Sequence, residues 1–453
     1  MKKNLFLCLL ALCCSIGMRA ESGTCGNLSW EFSNGTLTIT GSGVIPSYAY
    51  DKTPWYSLRE SIIIISLPEG LTAIGNNAFN GCNKIKTVTI PDAVTVIGEG
   101  AFKYCSAMTH VVFGSGVETI GNYAFYECTQ LKSPSFPASL TSIGENAFNN
   151  CDAITALTIS GNVVSIGSQA FFSCDMLTSL TLQEGVSTLG IGVFAGCGSL
   201  SAVSLPASLT TMGNNVFDGC SSLTTITIPS GIMSIPERAF YRCYSLATVN
   251  LPEGLVSIGK EAFSDCVCST LNLPSTLTTF GTDAFYSCKG LRQVIIPASM
   301  TSIGTGAFRL CSNLTSVTIP EGVTEIGYGS FHGCNLTSLS LPNSLVTIGI
   351  NAFLNNPSLR TVVLPDNVST IGNYAFGDNS ALQTVVLNQQ LSTIGEGAFQ
   401  NCTSLTDITI PASVASLPKY CFGGCTALKN ITLREGLTGT MKVRSEVVSR
   451  CIR

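Results

Sequence analysis

Charge is scarce in this sequence: 11% of its 453 residues are Asp, Glu, Lys or Arg, and the net charge is −4. So small a balance offers neither the basic stripe that nucleic acid requires nor attraction to an anionic membrane surface. Histidine is scarcer still. His110 and His332 lie far apart, and Cys266-Val267-Cys268 has no partner pair at zinc spacing, so no metal site is expected. Beyond the first twenty residues no run is long and apolar enough to span a bilayer. There is no nucleophile elbow, phosphate-binding glycine loop or carboxylate pair. The expectation is a protein that is not an enzyme, has no cofactor and takes no small-molecule substrate.

The N-terminus reads differently. Lys2 and Lys3 precede an apolar run from Leu5 to about Ile16, and Met18-Arg19-Ala20 provides a cleavage region. Residues 1–20 therefore read as a secretory signal peptide, giving a secreted or surface-displayed chain. Leu10-Ala11-Leu12-Cys13 matches a lipid-attachment motif poorly, because Leu12 stands where a small residue is wanted.

Glycine, hydroxyl and aliphatic residues fill the remainder, and they repeat. Sixteen of the 22 phenylalanines recur in register, from Phe79, Phe102 and Phe125 to Phe376, Phe399 and Phe422. Thirteen of the fifteen spacings are 23 residues, and the other two, Phe263 to Phe285 and Phe331 to Phe353, are 22. Every other position keeps step with the Phe. Aliphatics stand eight and five residues before it (Val94, Ile97), and Gly follows the second of these (Gly98). Aliphatics recur six, nine and eleven residues after it, often closed by Pro, as in Leu223, Ile226, Ile228 and Pro229. The pair at nine and eleven brackets a residue that is Ser or Thr in ten of sixteen copies, the period-2 pattern of a half-buried strand. The Gly reads as a tight bend, although Pro236 and Pro418 at that slot argue against an obligatory positive φ there. One such coil cannot close a core, but a stack can.

Three residues after the Phe, a further column holds Cys82, Cys105, Cys128, Cys151, Cys174, Cys197, Cys220, Cys243, Cys266, Cys288, Cys311, Cys334, Cys402 and Cys425, with Asn356 and Asn379 completing it. Cys and Asn share modest size and the ability to bond to backbone groups. Their exchange points to a buried structural ladder against the turn backbone rather than to disulfides. Stacked side chains would run parallel, with Cβ atoms farther apart than the roughly 3.8 Å a bridge prefers. Cys25, Cys268, Cys421 and Cys451 fall outside this column.

Leu-x-x-Val-x-Ile-Pro followed by Ile-Gly-x-x-Ala-Phe-x-x-Cys resembles the BspA-like branch of the leucine-rich repeats over residues 56–434. The resemblance implies a right-handed leucine-rich-repeat solenoid of the repeat α/β class, about 16 coils of 22–23 residues. Its coils would hold mostly short parallel β-strands, with turns and one-turn helices. Leu28, Trp30 and Phe32, then Leu37 and Ile39, alternate with polar residues around Asn34-Gly35, which reads as a β-hairpin cap within 21–55. Residues 435–453 form an irregular basic tail.

Slots seven, eight and ten after the Phe are expected to form one continuous, neutral, hydroxyl-rich face (Thr178, Ser179, Thr181; Thr224, Thr225, Thr227). Slot seven carries scattered cations: Lys86, Lys132, Arg292, Arg360 and Lys429. The two shortened copies are expected to delimit a distinct patch between about residues 266 and 340. Resemblance to the BspA-like proteins implies adhesion to a protein or glycan on host or neighbouring cells. A structural component of a bacterial surface layer or matrix is the alternative, as is polysaccharide capture, which the lack of aromatics on the strand face disfavours.

Overall fold

A computed structural model describes residues 20–433. Residues 1–19, the tail 435–453 and Cys451 lie outside the described residues. The chain divides into two compact units between Met176 and Leu177.

The first unit opens with the hairpin. β1 (Glu21–Cys25) pairs antiparallel with β2 (Leu28–Ser33), and β2 pairs antiparallel with β3 (Thr36–Thr40). Asn34 and Gly35 link them with φ of 51° and 80°, the doubly left-handed turn that matches strand twist. Leu28, Trp30, Phe32, Leu37 and Ile39 all point into the core. β3 then pairs in parallel with β5 (Ile64–Ser66), and β4 (Gly43–Ile45) pairs in parallel with the strand Leu71–Ile74. β3 of the hairpin thus pairs with a first repeat strand, and β4, which follows it, ends the parallel ladder that runs before the Phe.

Two sheets are present because most coils contribute two strands, where the sequence pattern indicates one. In the first unit Thr87–Thr89 and His110–Val112 pair at slots eight to ten. A second ladder runs through Val96–Ile97, Thr119–Ile120, Ser142–Ile143 and Ser165–Ile166, before the Phe. The second unit repeats the scheme, with five such strands from Ser302–Ile303 to Thr393–Ile394 forming one sheet.

The Phe segment is where expectation and structure part. Among the described residues the only helical element is a single 3-10 turn, Tyr56–Leu58, so one-turn helices do not line the coils. Instead, the residues two before and two after each of the sixteen Phe have positive φ, as at Asn77 (56°) and Gly81 (76°) around Phe79. The alternation turns every second amide along the stack. Asn77, Phe79 and Gly81 N–H donate to Glu99, Ala101 and Lys103 carbonyls of the next coil at 2.7–2.8 Å. A third inter-coil ladder replaces the internal bonds a helix would have made. Twenty of these thirty-two positions are Gly, Asn or Asp, the residues that tolerate this region best.

The Gly that recurs four residues before the Phe is not one of these left-handed positions. Gly167 shows why Gly stands there: a Cβ would lie 2.5 Å from the Gly144 carbonyl carbon and 2.6 Å from Glu145 N. Close backbone approach thus adds to the bend, with Gly167 N–H donating to Ile143 O at 2.9 Å while its carbonyl accepts from Ala170 N–H at 3.3 Å as the turn begins. Pro at two copies is compatible with an ordinary negative φ.

Phe rings fill the space between coils. In the first unit Phe79 through Phe171 stack at 5.1–5.3 Å between centroids, and Trp55 starts the column at 5.7 Å from Phe79. Trp55 also donates its indole N–H to Ala78 O at 2.8 Å, capping a carbonyl of the first coil's turn. Phe194 through Phe422 stack at 5.3–5.7 Å in the second unit.

Since Phe217 is fully buried between two rings, Phe217→Ala should cost about 3–5 kcal/mol of stability in denaturant unfolding. Gly167→Ala should lower the thermal midpoint, while Gln169→Gly, which relieves a φ of 55°, should raise stability by on the order of 1 kcal/mol at most. Calorimetry on the two single variants reads both signs.

Candidate functional site

The cysteine column lies against the turn backbone. In the first unit, the Sγ atoms of Cys105, Cys128, Cys151 and Cys174 donate to the carbonyls of Phe79, Phe102, Phe125 and Phe148 at 3.2–3.4 Å. In the second, the same bond recurs from Cys220 on Phe194 O (3.3 Å) to Cys425 on Phe399 O (3.1 Å). Cys82, Cys197, Cys243, Cys266, Cys288, Cys311, Cys334 and Cys402 are buried in the same column. Asn356 and Asn379 do more than a thiol can. Asn379 Nδ2 donates to Phe353 O at 3.1 Å and Phe376 O at 2.8 Å, while its Oδ1 accepts from Asn356 N–H at 2.7 Å. Asn356 Nδ2 bridges Phe331 O and Phe353 O in the same way, at 2.9 and 3.1 Å.

Burial pushes five of these thiols up. Cys82 and Cys128 rise from an ordinary 9.0 to about 12, and Cys105, Cys151 and Cys220 rise well above it. Among the described residues no three His, Cys, Asp or Glu side chains are placed to hold a metal ion. No helix among them is long and apolar enough to cross a membrane.

Slots seven, eight and ten lie on the outer side of the first sheet in each unit, where Thr87, Thr89, Thr225 and Thr227 are exposed around buried Val88 and Ile226. Lys86 and Lys132 in the first unit, and Arg292, Arg360 and Lys429 in the second, are exposed here. None of the five makes an ion pair with another described residue. Across these slots the one acid is Asp407, so the strand positions total five cations against one anion in a chain of net charge −4.

This face is not a continuous sheet. In the second unit the ladder Thr225–Thr227, Thr248–Asn250, Thr270–Leu271 ends at the first 22-residue coil, and Gln293–Ile295 begins a new pair with Ser316–Thr318. A groove of about 750 Å³ lies at this interruption, with Leu271, Ile295 and Pro297 in its wall. A second groove, of about 660 Å³, lies where Thr384–Val386 and Asp407–Ile410 fail to pair. The second 22-residue coil has no strand in its slots at all. At the first shortened coil the backbones approach closely at Gly290, where any Cβ would collide with Val267 O.

Aromatics are absent from the strand slots but present on the turn side, a feature missed from sequence. Lys103 Nζ sits 4.7–4.9 Å from the ring centres of Tyr104, Tyr123 and Tyr126 in the first unit. In the second unit, Arg309 lies over Tyr286 at 4.8 Å and pairs with Asp283 at 3.0 Å. All nine repeat tyrosines fall between three residues before and four after a Phe, a clustering that a slot-by-slot tally of Tyr would have revealed.

Raised thiols make the ladder sensitive to alkali. Each contributes stability that is complete below pH 9.0, the unfolded value, and is lost as pH climbs toward the folded value near 12 for Cys82 and Cys128. Stability should therefore fall above pH 9 by about 1.4 kcal/mol per pH unit for each such thiol. Urea melts at pH 8, 9 and 10 check the slope. Iodoacetamide at pH 8 should label Cys82 and Cys128 only after denaturant is added, read by mass spectrometry.

Comparison with known proteins accords with this geometry. The family model described as "BspA type Leucine rich repeat region (6 copies)" matches residues 45–178, 142–266, 233–360, 279–403 and 346–451. No curated protein matches the chain. A leucine-rich repeat protein from Bacteroides ovatus is similar at 28% identity, covering 91% of this chain and 100% of its own, with a TM-score of 0.67. A leucine-rich cell surface protein from Faecalibacterium prausnitzii is 23% identical over 96% of this chain and 98% of its own, with a TM-score of 0.48. With its 23-residue period, parallel coils and turn-bound cysteine column, the chain belongs to the BspA-type leucine-rich repeat family.

Proposed function

We propose that this chain is an exported, non-enzymatic binding module that attaches to a protein on host or neighbouring cells through its strand face. The observation that carries the reading is the contrast between surfaces. An acidic chain presents strand slots holding five unpaired cations, one acid and one histidine, with hydroxyl, amide and aliphatic residues in the rest. Hydroxyl and amide groups spread over a flat sheet offer many weak hydrogen bonds, and the exposed ammonium and guanidinium groups steer an anionic partner. A protein partner fits better than a glycan, since these slots hold no Tyr, Trp or Phe on which a sugar ring stacks. Support for a secreted or surface location comes from the sequence features of residues 1–20 and from membership of the BspA-type family. The Cys/Asn column serves as scaffold in this reading, holding each coil to the one before it.

The test is binding of the purified chain from Glu21 onward to immobilised host matrix and plasma proteins, against a solenoid of the same repeats in shuffled order. Saturable binding by the native order alone, weakened by 0.5 M salt, is the expected result. Equal binding by both chains, or self-assembly in light scattering with no captured protein, sinks the proposal.

A further inference from the structure

We infer that the groove at the first 22-residue coil is a docking site for an extended peptide segment that pairs an aliphatic side chain with a carboxylate. The inference rests on the strand-face reading above and gives it a place and a chemistry.

Three observations meet at this groove. The first is its wall. Leu271, Leu273, Ile295, Pro297 and Pro320 line it, and Ile295 is 59% exposed at a slot that is Ser or Thr in ten of sixteen coils. An exposed branched aliphatic beside a concave apolar wall gains by being covered, because water is released from both. The second is the interrupted ladder. Thr270–Leu271 and Gln293–Ile295 are not paired with each other, so main-chain groups border the groove without the ladder that serves neighbouring coils. An extended polypeptide brings its own N–H and C=O groups to such a margin, which a lipid or a purely aliphatic ligand does not. The third is charge. Arg292 stands at the groove and makes no ion pair or side-chain hydrogen bond with a described residue, whereas Glu253, the acid at the same groove, is already bonded to Ser275 N at 3.2 Å and Ser275 Oγ at 3.0 Å. The cation is open to a partner and the anion is engaged, so the groove selects an acidic rather than a basic segment. Apolar wall, unladdered backbone and one open guanidinium together specify an aliphatic-plus-acidic peptide. The interrupted ladder lies at the coil that lacks one residue between Cys266 and Leu271, and Arg292 and Ile295 stand beside it on the next coil.

The experiment is selection of a random dodecapeptide phage library on the immobilised chain from Glu21 onward, followed by fluorescence anisotropy of the enriched peptides. Enriched sequences should place Leu, Ile or Val close to Asp or Glu. Ile295→Asn should weaken them by on the order of tenfold. Reselection on Arg292→Glu should exchange the acidic preference for a basic one, a swap that mere loss of folding cannot produce. Met233→Asn, exposed and off the strand face, should bind as the parent does. The proposal is overturned if no sequence enriches, if the enriched peptides lack the aliphatic–acidic pairing, or if they bind Ile295→Asn and Arg292→Glu as tightly as the parent. Capture of a matrix protein that is indifferent to both substitutions would remove this groove while leaving the strand-face function standing. Peptide binding without matrix binding would do the reverse.

Discussion

The structure depends on one repeated arrangement: a Phe ring stacked between its neighbours while its own amide bonds to the next coil. In the first unit the rings lie 5.1–5.3 Å apart, and the Phe79 and Phe102 amides donate to Ala101 and Ala124 carbonyls at 2.7–2.8 Å. Ring spacing and amide spacing must agree, and few backbone conformations allow both. Placing left-handed residues on either side of the Phe achieves it, because it turns three alternate amides of the turn toward the following coil. The conformational cost at non-glycine residues such as Gln169 and Leu310 is met by burying a whole aromatic ring and completing three inter-coil bonds.

That arrangement explains the cysteine column. The Phe carbonyl already accepts a bond from the amide three residues on, as Phe79 O does from Cys82 N–H at 3.2 Å. Its second lone pair faces the core, where water cannot reach it. A small side chain with a weak donor, arriving from the next coil, is what the site accommodates, and Cys105 Sγ supplies it at 3.3 Å. Asn meets the same need with two donors, and its spare oxygen takes over an amide, as Asn379 does for Asn356. Hydrogen-bonding capacity in a fixed small volume, rather than redox chemistry, accounts for the exchange between the two residue types.

A scaffold this repetitive gains specificity where it is interrupted. Identical coils present identical strands, so partner choice has to come from departures: a missing residue, an isoleucine where threonine is usual, a cation without a counter-ion. The first shortened coil gathers all three around Leu271, Arg292 and Ile295. The turn side carries ion pairs of its own, as Arg238 with Glu261 at 2.6 Å and Arg309 with Asp283 at 3.0 Å. Groups already satisfied within the chain have less to offer a partner than the open cations of the strand slots.

The sequence by itself determined the coil. Sixteen Phe in step with Ile, Gly, Leu and Cys slots specify a stack, its core residues and its alternating hairpin, because burial depends on residue type and period, and both are written along the chain. Only the tertiary structure decided the rest. The second strand of each coil escaped because Thr119–Ile120 is too short to show a period. The left-handed pairs escaped because Tyr123, Arg238 and Glu261 are among the twelve of thirty-two positions that lack Gly, Asn or Asp, which blurs the local preference. The close approach at the Gly column escaped because its partner, a backbone 23 residues away, has no local signature. The grooves depend on how one coil meets the next, a relation between stacked segments that no single repeat contains.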